Sequence, residues 1–142
     1  MATRVTSPLE NLCALGHLRA EAPDAKEFAA LKRSGLVRLA DADSNSLESR
    51  FDLAYNAAHA LSLAALRYSG YRSANRYIAF QALPHTLGLG PEVWRVLAKG
   101  HEIRNRSEYE GDFVVDERLL ADLITACRAV AAALGRLPPP VP

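Results

Sequence analysis

The sequence has few cysteines and no pattern of metal ligands. Only Cys13 and Cys127 occur in its 142 residues, and neither belongs to a CxxC pair or has a metal-like neighbourhood. We therefore interpret both as small apolar side chains in the helices of a protein from a reducing cytoplasm. The sequence predicts no metal and no cofactor.

The sequence also lacks an excess of either charge sign and has no long apolar run. The formal net charge is +1, from 17 basic and 16 acidic residues, so no chain-wide attraction to nucleic acid or to an anionic membrane is expected. A local basic patch is compatible with this balance. No apolar run approaches the ~20 residues of a membrane helix, and the first five residues lack the apolar region of a secretion signal. We expect a cytoplasmic protein that does not contact the membrane.

The residues that are present have the balance of a globular domain. The composition is 49% hydrophobic and 23% charged, and the length suits one domain with a core of its own. We place this single domain at residues 1–136. Residues 137–142 are rich in proline and are predicted to form an extended tail.

Helix start and stop signals predict an all-α, up-and-down bundle of about five to six helices that needs no strand. Capping boxes at Ser7 and Asp24 begin the first two helices, and Gly35 is expected to end the second. A third helix is predicted over about 46–69, where apolar residues recur at spacings of three and four. Its long stripe makes it the expected centre of the bundle.

Three more helices are predicted in the second half of the chain. The fourth covers about 74–83, and Pro84 should stop or kink it because proline lacks the backbone donor. The fifth begins with Pro91 at its first position and ends at Gly111. Asp116 caps the last helix, which Gly135 closes.

Polar side chains suited to chemistry concentrate on the predicted fifth helix. They are His101, Arg104, Asn105, Arg106, Glu108 and Tyr109. His101, Arg104 and Asn105 share a face with Glu108, which is placed to pair with Arg104. This face offers parts for holding a phosphate and positioning a ribose hydroxyl. A solvated helix face with a packed histidine is the alternative interpretation.

Residues 101–111 (HEIRNRSEYEG) resemble the signature region of the HEPN superfamily. Residues 50–59 (RFDLAYNAAH) resemble the long helix that precedes it, and with Gly70-Tyr71-Arg72 the resemblance extends over about 45–134. It implies a small helical bundle, often dimeric, that binds nucleotides or RNA. Many members are metal-independent ribonucleases that act as toxins or defence effectors, often beside a nucleotidyltransferase partner.

The resemblance also assigns catalytic residues, with one departure. Arg104 and Asn105 match the arginine and the polar residue that follows it in active members. Tyr109 stands where the family has histidine at the shortest spacing. An unperturbed tyrosine titrates near pH ~10 and is a poor base at neutral pH. His101, one turn before Arg104, is the other candidate for the proton carrier.

Further residues are implied as ligand contacts. Arg106 and Glu108 flank the motif, and the resemblance places Tyr55 and Asn56 of the preceding helix beside Arg104. His59 of the same helix is expected to be a packing residue. A separate tract interleaves Arg67, Arg72 and Arg76 with Tyr68, Tyr71 and Tyr77. This tract either contacts RNA or forms a polar rim.

Three functional hypotheses follow. The first is a HEPN-like nucleotide- or RNA-binding module with a degenerate ribonuclease motif, a homodimer acting in a toxin–antitoxin or defence system. The second is an active metal-independent endoribonuclease that uses His101 or Tyr109. The third is a structural dimerisation or interaction protein in which Arg104 and Glu108 hold helices together.

Overall fold

The computed structural model describes residues 7–43, 46–73, 75–110 and 116–139, with only the backbone of 107–110. The described part of the chain contains seven helices and a two-stranded ladder, so the predicted all-α class is confirmed. In chain order the elements are α1 (Pro8–Ala14), β1 (Arg19–Ala20), α2 (Ala25–Asp41), α3 (Leu47–Ser69), β2 (Tyr71–Arg72), α4 (Arg76–Gln81), α5 (Leu83–Thr86), α6 (Pro91–Glu110) and α7 (Glu117–Gly135).

Helix α3 lies at the centre of the bundle, as its apolar stripe predicts. It begins after Ser46, whose hydroxyl accepts the Ser49 N–H, and ends at Gly70, whose φ of 91° is left-handed. Helices α2 and α7 pack along it, and α4 and α6 cover another part of its surface. Phe51 and Leu61 of α3 are fully buried. Burial of such side chains stabilises the fold by roughly 1.5–3 kcal/mol each.

The prediction that Gly35 ends the second helix is wrong. Helix α2 continues to Asp41, and Gly35 is buried in its interior. A Cβ atom at Gly35 would lie 2.5 Å from Leu61 Cγ of α3, closer than carbon atoms can approach. Glycine is therefore used at this position for close packing of two helices rather than for its left-handed conformation.

The predicted fourth helix is divided in two. Helix α4 stops at Gln81, and α5 follows after Ala82 with Pro84 in its first turn. Proline is tolerated there because the first N–H groups of a helix have no partner within it. The interruption near Pro84 is confirmed, and α6 begins at Pro91 as predicted.

The expectation that the chain needs no strand is wrong in one detail. Residues Arg19 and Ala20 of β1 pair antiparallel with Arg72 and Tyr71 of β2. The ladder is only two residues long on each side and joins the chain after α1 to the end of α3. It lies next to the C-terminal end of α3.

Arg67, near the C-terminal end of α3, connects this helix to the residues that follow β1. It is 2% exposed, and its guanidinium donates to the backbone carbonyls of Glu21 and Ala22 at 3.1 and 2.7 Å. Its ion pairs with the carboxylates of Glu21 and Glu27 measure 3.4 and 3.3 Å. Arg72 contacts the same two carboxylates. Arg67 and Arg72 are thus engaged within the fold, which favours the polar-rim interpretation for that part of the basic tract.

Three smaller expectations have mixed outcomes. Cys127 is buried, and burial raises the pKa of its thiol to about 12, whereas Cys13 is partly exposed. The described helices include none that is both long enough and apolar enough to cross a membrane. At the start of the proline-rich tail, the Tyr68 hydroxyl donates to the Pro138 carbonyl at 2.9 Å; residues 140–142 lie outside the described residues.

Candidate functional site

The polar face of α6 meets α3 and α4 around the ring of Tyr55. This ring is 1% exposed and packs between Phe51, at a centroid distance of 6.5 Å, and Phe80, at 6.0 Å. Within α6, His101 and Arg104 are three residues apart, so both side chains project toward Tyr55. A rigid aromatic core therefore supports the polar groups above it.

A chain of hydrogen bonds runs from Tyr55 to the surface. The Tyr55 hydroxyl lies 2.7 Å from His101 Nδ1, and the Asn105 amide nitrogen lies 3.0 Å from His101 Nε2. An amide nitrogen can only donate, so Nε2 accepts this bond. A neutral ring then carries its proton on Nδ1 and donates it to the Tyr55 oxygen. The basic nitrogen of His101 therefore faces the exposed Asn105.

Two guanidinium groups lie against the same tyrosine ring. The Arg104 guanidinium carbon is 4.9 Å from the Tyr55 centroid and that of Arg76 is 5.4 Å from it, both within cation–π range. Arg104 also pairs with Asp52, whose carboxylate oxygen lies 3.5 Å from Nε. Arg76 donates to the side-chain oxygen of Asn56 at 3.2 Å. The two arginines and Asp52 together leave one positive charge in excess.

His59 is a further titratable group of this cluster and lies one turn after Tyr55. Its ring makes an edge contact with Phe80 at a centroid distance of 6.4 Å. Burial is the largest cause that lowers the pKa of His59 from 6.5 to about 4, and the positive charges of Arg76 and Arg104 and the neighbouring His101 contribute to the same shift. His59 is therefore neutral at physiological pH, which limits the repulsion among these groups.

The structure brings together four of the eight predicted site residues. His101, Arg104, Asn105 and Tyr55 form one connected cluster, and the proximity of Tyr55 to Arg104 that the resemblance implied is confirmed. Asn56 lies at its edge and reaches it through Arg76.

The remaining three predicted residues do not contribute described contacts to the cluster. Arg106 instead pairs with Glu102, one turn earlier on the exposed side of α6, at 3.0 Å. The side chains of Glu108 and Tyr109 lie outside the described residues, so the predicted pairing of Arg104 with Glu108 stays a prediction. The carboxylate observed beside Arg104 is that of Asp52.

Sequence reasoning missed two members of the cluster and assigned another to packing alone. Asp52 was not singled out, Arg76 was placed in a different tract, and His59 was expected only to pack. One signal was available, because Asp52, Tyr55, Asn56 and His59 recur at spacings of three, one and three along α3. That spacing puts all four on one helix face. Arg76 joins them only through the packing of α4 on α3.

The arrangement is suited to anion binding and to proton transfer. Arginine matches the geometry of a phosphate with paired donors, and two arginines lie at one ring. The imidazole of His101 is oriented by the Tyr55 hydroxyl, as a general base is oriented by a partner group. Among the described residues, no group of three or more His, Cys, Asp or Glu side chains is arranged to hold a metal ion.

Comparisons of the chain with protein-family models, with curated proteins and with solved structures find no match in any of the three. The geometry of the site and the resemblance in its motif are therefore the grounds for a functional argument.

Proposed function

We propose that this protein is a HEPN-like module that binds RNA or a nucleotide through a phosphate at Arg104 and Arg76. The observation that carries the proposal is the pair of guanidinium groups at 4.9 and 5.4 Å from the Tyr55 centroid, with the carboxylate of Asp52 beside Arg104. The proposal agrees with the resemblance of residues 101–111 to the HEPN signature.

Phosphate binding at this place has a definite physical basis. The Arg104 side chain is 26% exposed and that of Asp52 is 56% exposed, so an incoming phosphate can reach the guanidinium group and compete with the carboxylate. Charge-assisted hydrogen bonds from arginine to phosphate are roughly twice as strong as neutral ones. Asn105 is exposed and adds an amide next to His101 for a ribose or base contact.

Ribonuclease activity is the second candidate, and one observation favours it. His101 is held at Nδ1 by Tyr55 and presents Nε2 on its exposed side. In a ribonuclease, Nε2 would accept the proton of a ribose 2′-hydroxyl after that hydroxyl replaced the Asn105 amide. The 2′-oxygen would then attack the neighbouring phosphorus and form a 2′,3′-cyclic phosphate. The bond from phosphorus to the 5′-oxygen of the next nucleotide would break, and this oxygen would take a proton from water. The tyrosine at position 109 in place of the family's histidine favours binding without strong cleavage.

The third candidate, a structural role for Arg104, has less support. A purely structural arginine is expected to resemble Arg67, which is 2% exposed and bound to backbone carbonyls. Arg104 is instead partly exposed. The wider context belongs to the proposal through the resemblance alone: a cytoplasmic homodimer of a toxin–antitoxin or defence system, with a nucleotidyltransferase-type partner protein.

The test is RNA binding and RNA cleavage by the purified protein in EDTA, beside Arg104→Ala. Arg33→Ala is the matched control, because Arg33 is an exposed arginine of α2. We expect Arg104→Ala to weaken binding about tenfold, the effect of losing roughly 1.4 kcal/mol, and to reduce its salt dependence. The control should bind like the wild type.

Three outcomes would contradict the proposal. Equal binding by wild type and Arg104→Ala would exclude Arg104 as the phosphate contact. A lower melting temperature in Arg104→Ala, without detectable binding by the wild type, would favour the structural role. Cleavage by the wild type that Arg104→Ala lacks would establish the ribonuclease instead.

A further inference from the structure

A groove of about 620 Å³ lies directly beside His101 and Asn105, between α4 and α6. Its walls include the aromatic side chains Tyr77 and Trp94 and the exposed cations Arg95 and Lys99. The groove is continuous with the candidate site because His101 and Asn105 belong to both. None of its other residues has a role in the site described above.

The two aromatic rings of the groove pack against neighbouring side chains and are also partly exposed to solvent. Trp94 packs against the hydrophobic core with part of its surface, and the Arg95 guanidinium carbon lies 5.6 Å from its ring. Tyr77 is 39% exposed, and its ring lies 6.3 Å from that of His101. An exposed ring that is held in place binds a planar ligand at a low entropic cost.

The charge of the groove is positive. Arg95 and Lys99 are exposed cations, whereas the carboxylate of Glu102 is already paired with Arg106 at 3.0 Å. The groove therefore combines rings that stack with bases and cations that contact a phosphate backbone, which is the combination found in proteins that bind single-stranded nucleic acid.

We infer that this groove binds an unpaired base and the adjoining phosphate of a single-stranded RNA that extends from the site at Arg104. The inference rests on the proposed function and specifies its ligand as an RNA strand rather than a lone nucleotide. Double-stranded RNA is excluded as the preferred ligand because its bases are stacked on one another and their faces are not available to a protein ring.

Trp94 offers a direct probe, because it is the only tryptophan of the chain. We expect quenching of its fluorescence by a single-stranded hexauridylate, and much less by a duplex of the same length. Inorganic polyphosphate, which has no bases, should compete for Arg104 without reproducing the quenching.

Variants of Tyr77 test the stacking contact itself. Tyr77→Ala should weaken hexauridylate binding about tenfold, measured by anisotropy of a labelled strand, and leave polyphosphate binding unchanged. Tyr77→Phe keeps the ring and should bind like the wild type, as should the control Arg33→Ala. Circular dichroism of each variant verifies that the fold is intact.

The outcomes separate this inference from the proposed function. If Tyr77→Ala binds hexauridylate as the wild type does while Arg104→Ala binds it weakly, the groove does not bind a base, and the proposed phosphate site is still supported. Equal affinity for duplex and single strand would also overturn the inference about the groove. Sensitivity to Tyr77→Ala without sensitivity to Arg104→Ala would support the groove and contradict the phosphate site. Absence of any RNA binding would contradict both.

Discussion

Acid should destabilise this protein through His59, and the size of the effect can be worked out. Burial, together with the nearby positive charges of Arg76 and Arg104, lowers the pKa of His59 to about 4 in the folded state, against 6.5 for the ordinary group. The unfolded chain therefore binds a proton between pH 6.5 and 4 that the folded chain does not. Stability from this group is complete above pH 6.5, falls as the pH drops toward 4, and changes no further below that.

The magnitude follows from the difference between the two pKa values. A difference of about 2.5 pKa units corresponds to roughly 3 kcal/mol, at about 1.36 kcal/mol per pKa unit. The ring is only partly buried, and water screens part of this effect. We therefore expect the protein to lose roughly 2 kcal/mol through His59 between pH 7 and pH 4.5.

The assay is urea unfolding of the wild type and of His59→Gln at pH 7 and pH 4.5. The wild type should lose roughly 2 kcal/mol more than His59→Gln over this interval, because the variant has no imidazole to protonate at that position. His85→Gln is the matched control, since it removes an exposed imidazole. The same loss in wild type and His59→Gln would refute the argument that His59 is held neutral by its surroundings.

Two further substitutions test the support of the site and the packing of the bundle. Tyr55→Phe removes the oxygen that lies 2.7 Å from His101 Nδ1 and should lower the free energy of unfolding in urea by about 1–2 kcal/mol; an unchanged free energy of unfolding would contradict this prediction. Gly35→Ala places a Cβ 2.5 Å from Leu61 Cγ and should destabilise by about 1–3 kcal/mol. Gly135→Ala, with nothing within 4 Å of the new Cβ, should leave the melting temperature unchanged or slightly raised.

The helix boundaries that the sequence predicts correctly are those encoded by neighbouring residues. Asp24 and Asp116 cap α2 and α7 as predicted, since a cap depends only on a side-chain oxygen and the N–H groups two or three residues on. Gly35 misled the prediction because glycine has two uses. The choice between them is decided by Leu61, which is distant in sequence.

The same distinction separates the predictable part of the site from the rest. The spacing of His101, Arg104 and Asn105 within α6 places them on one face, and the structure agrees. Asp52 and Arg76 come from α3 and α4, and their positions beside Tyr55 depend on how three helices pack. The spacing within α3 places Asp52 on the same face as Tyr55, but no pattern within either helix determines how the helices pack. The contacts of Asp52 with Arg104 and of Arg76 with Tyr55 therefore emerge only from the tertiary structure.

Tyr55 explains why the site and the core are inseparable in this fold. Its ring is almost fully buried between Phe51 and Phe80, yet its hydroxyl orients His101 and its ring borders Arg104. Polar groups that rest on a packed aromatic core are already ordered before a ligand binds. The ligand therefore does not have to offset the entropic cost of ordering them. Tyr55 is therefore a core side chain of α3 and also the contact that places His101 and Arg104 of α6.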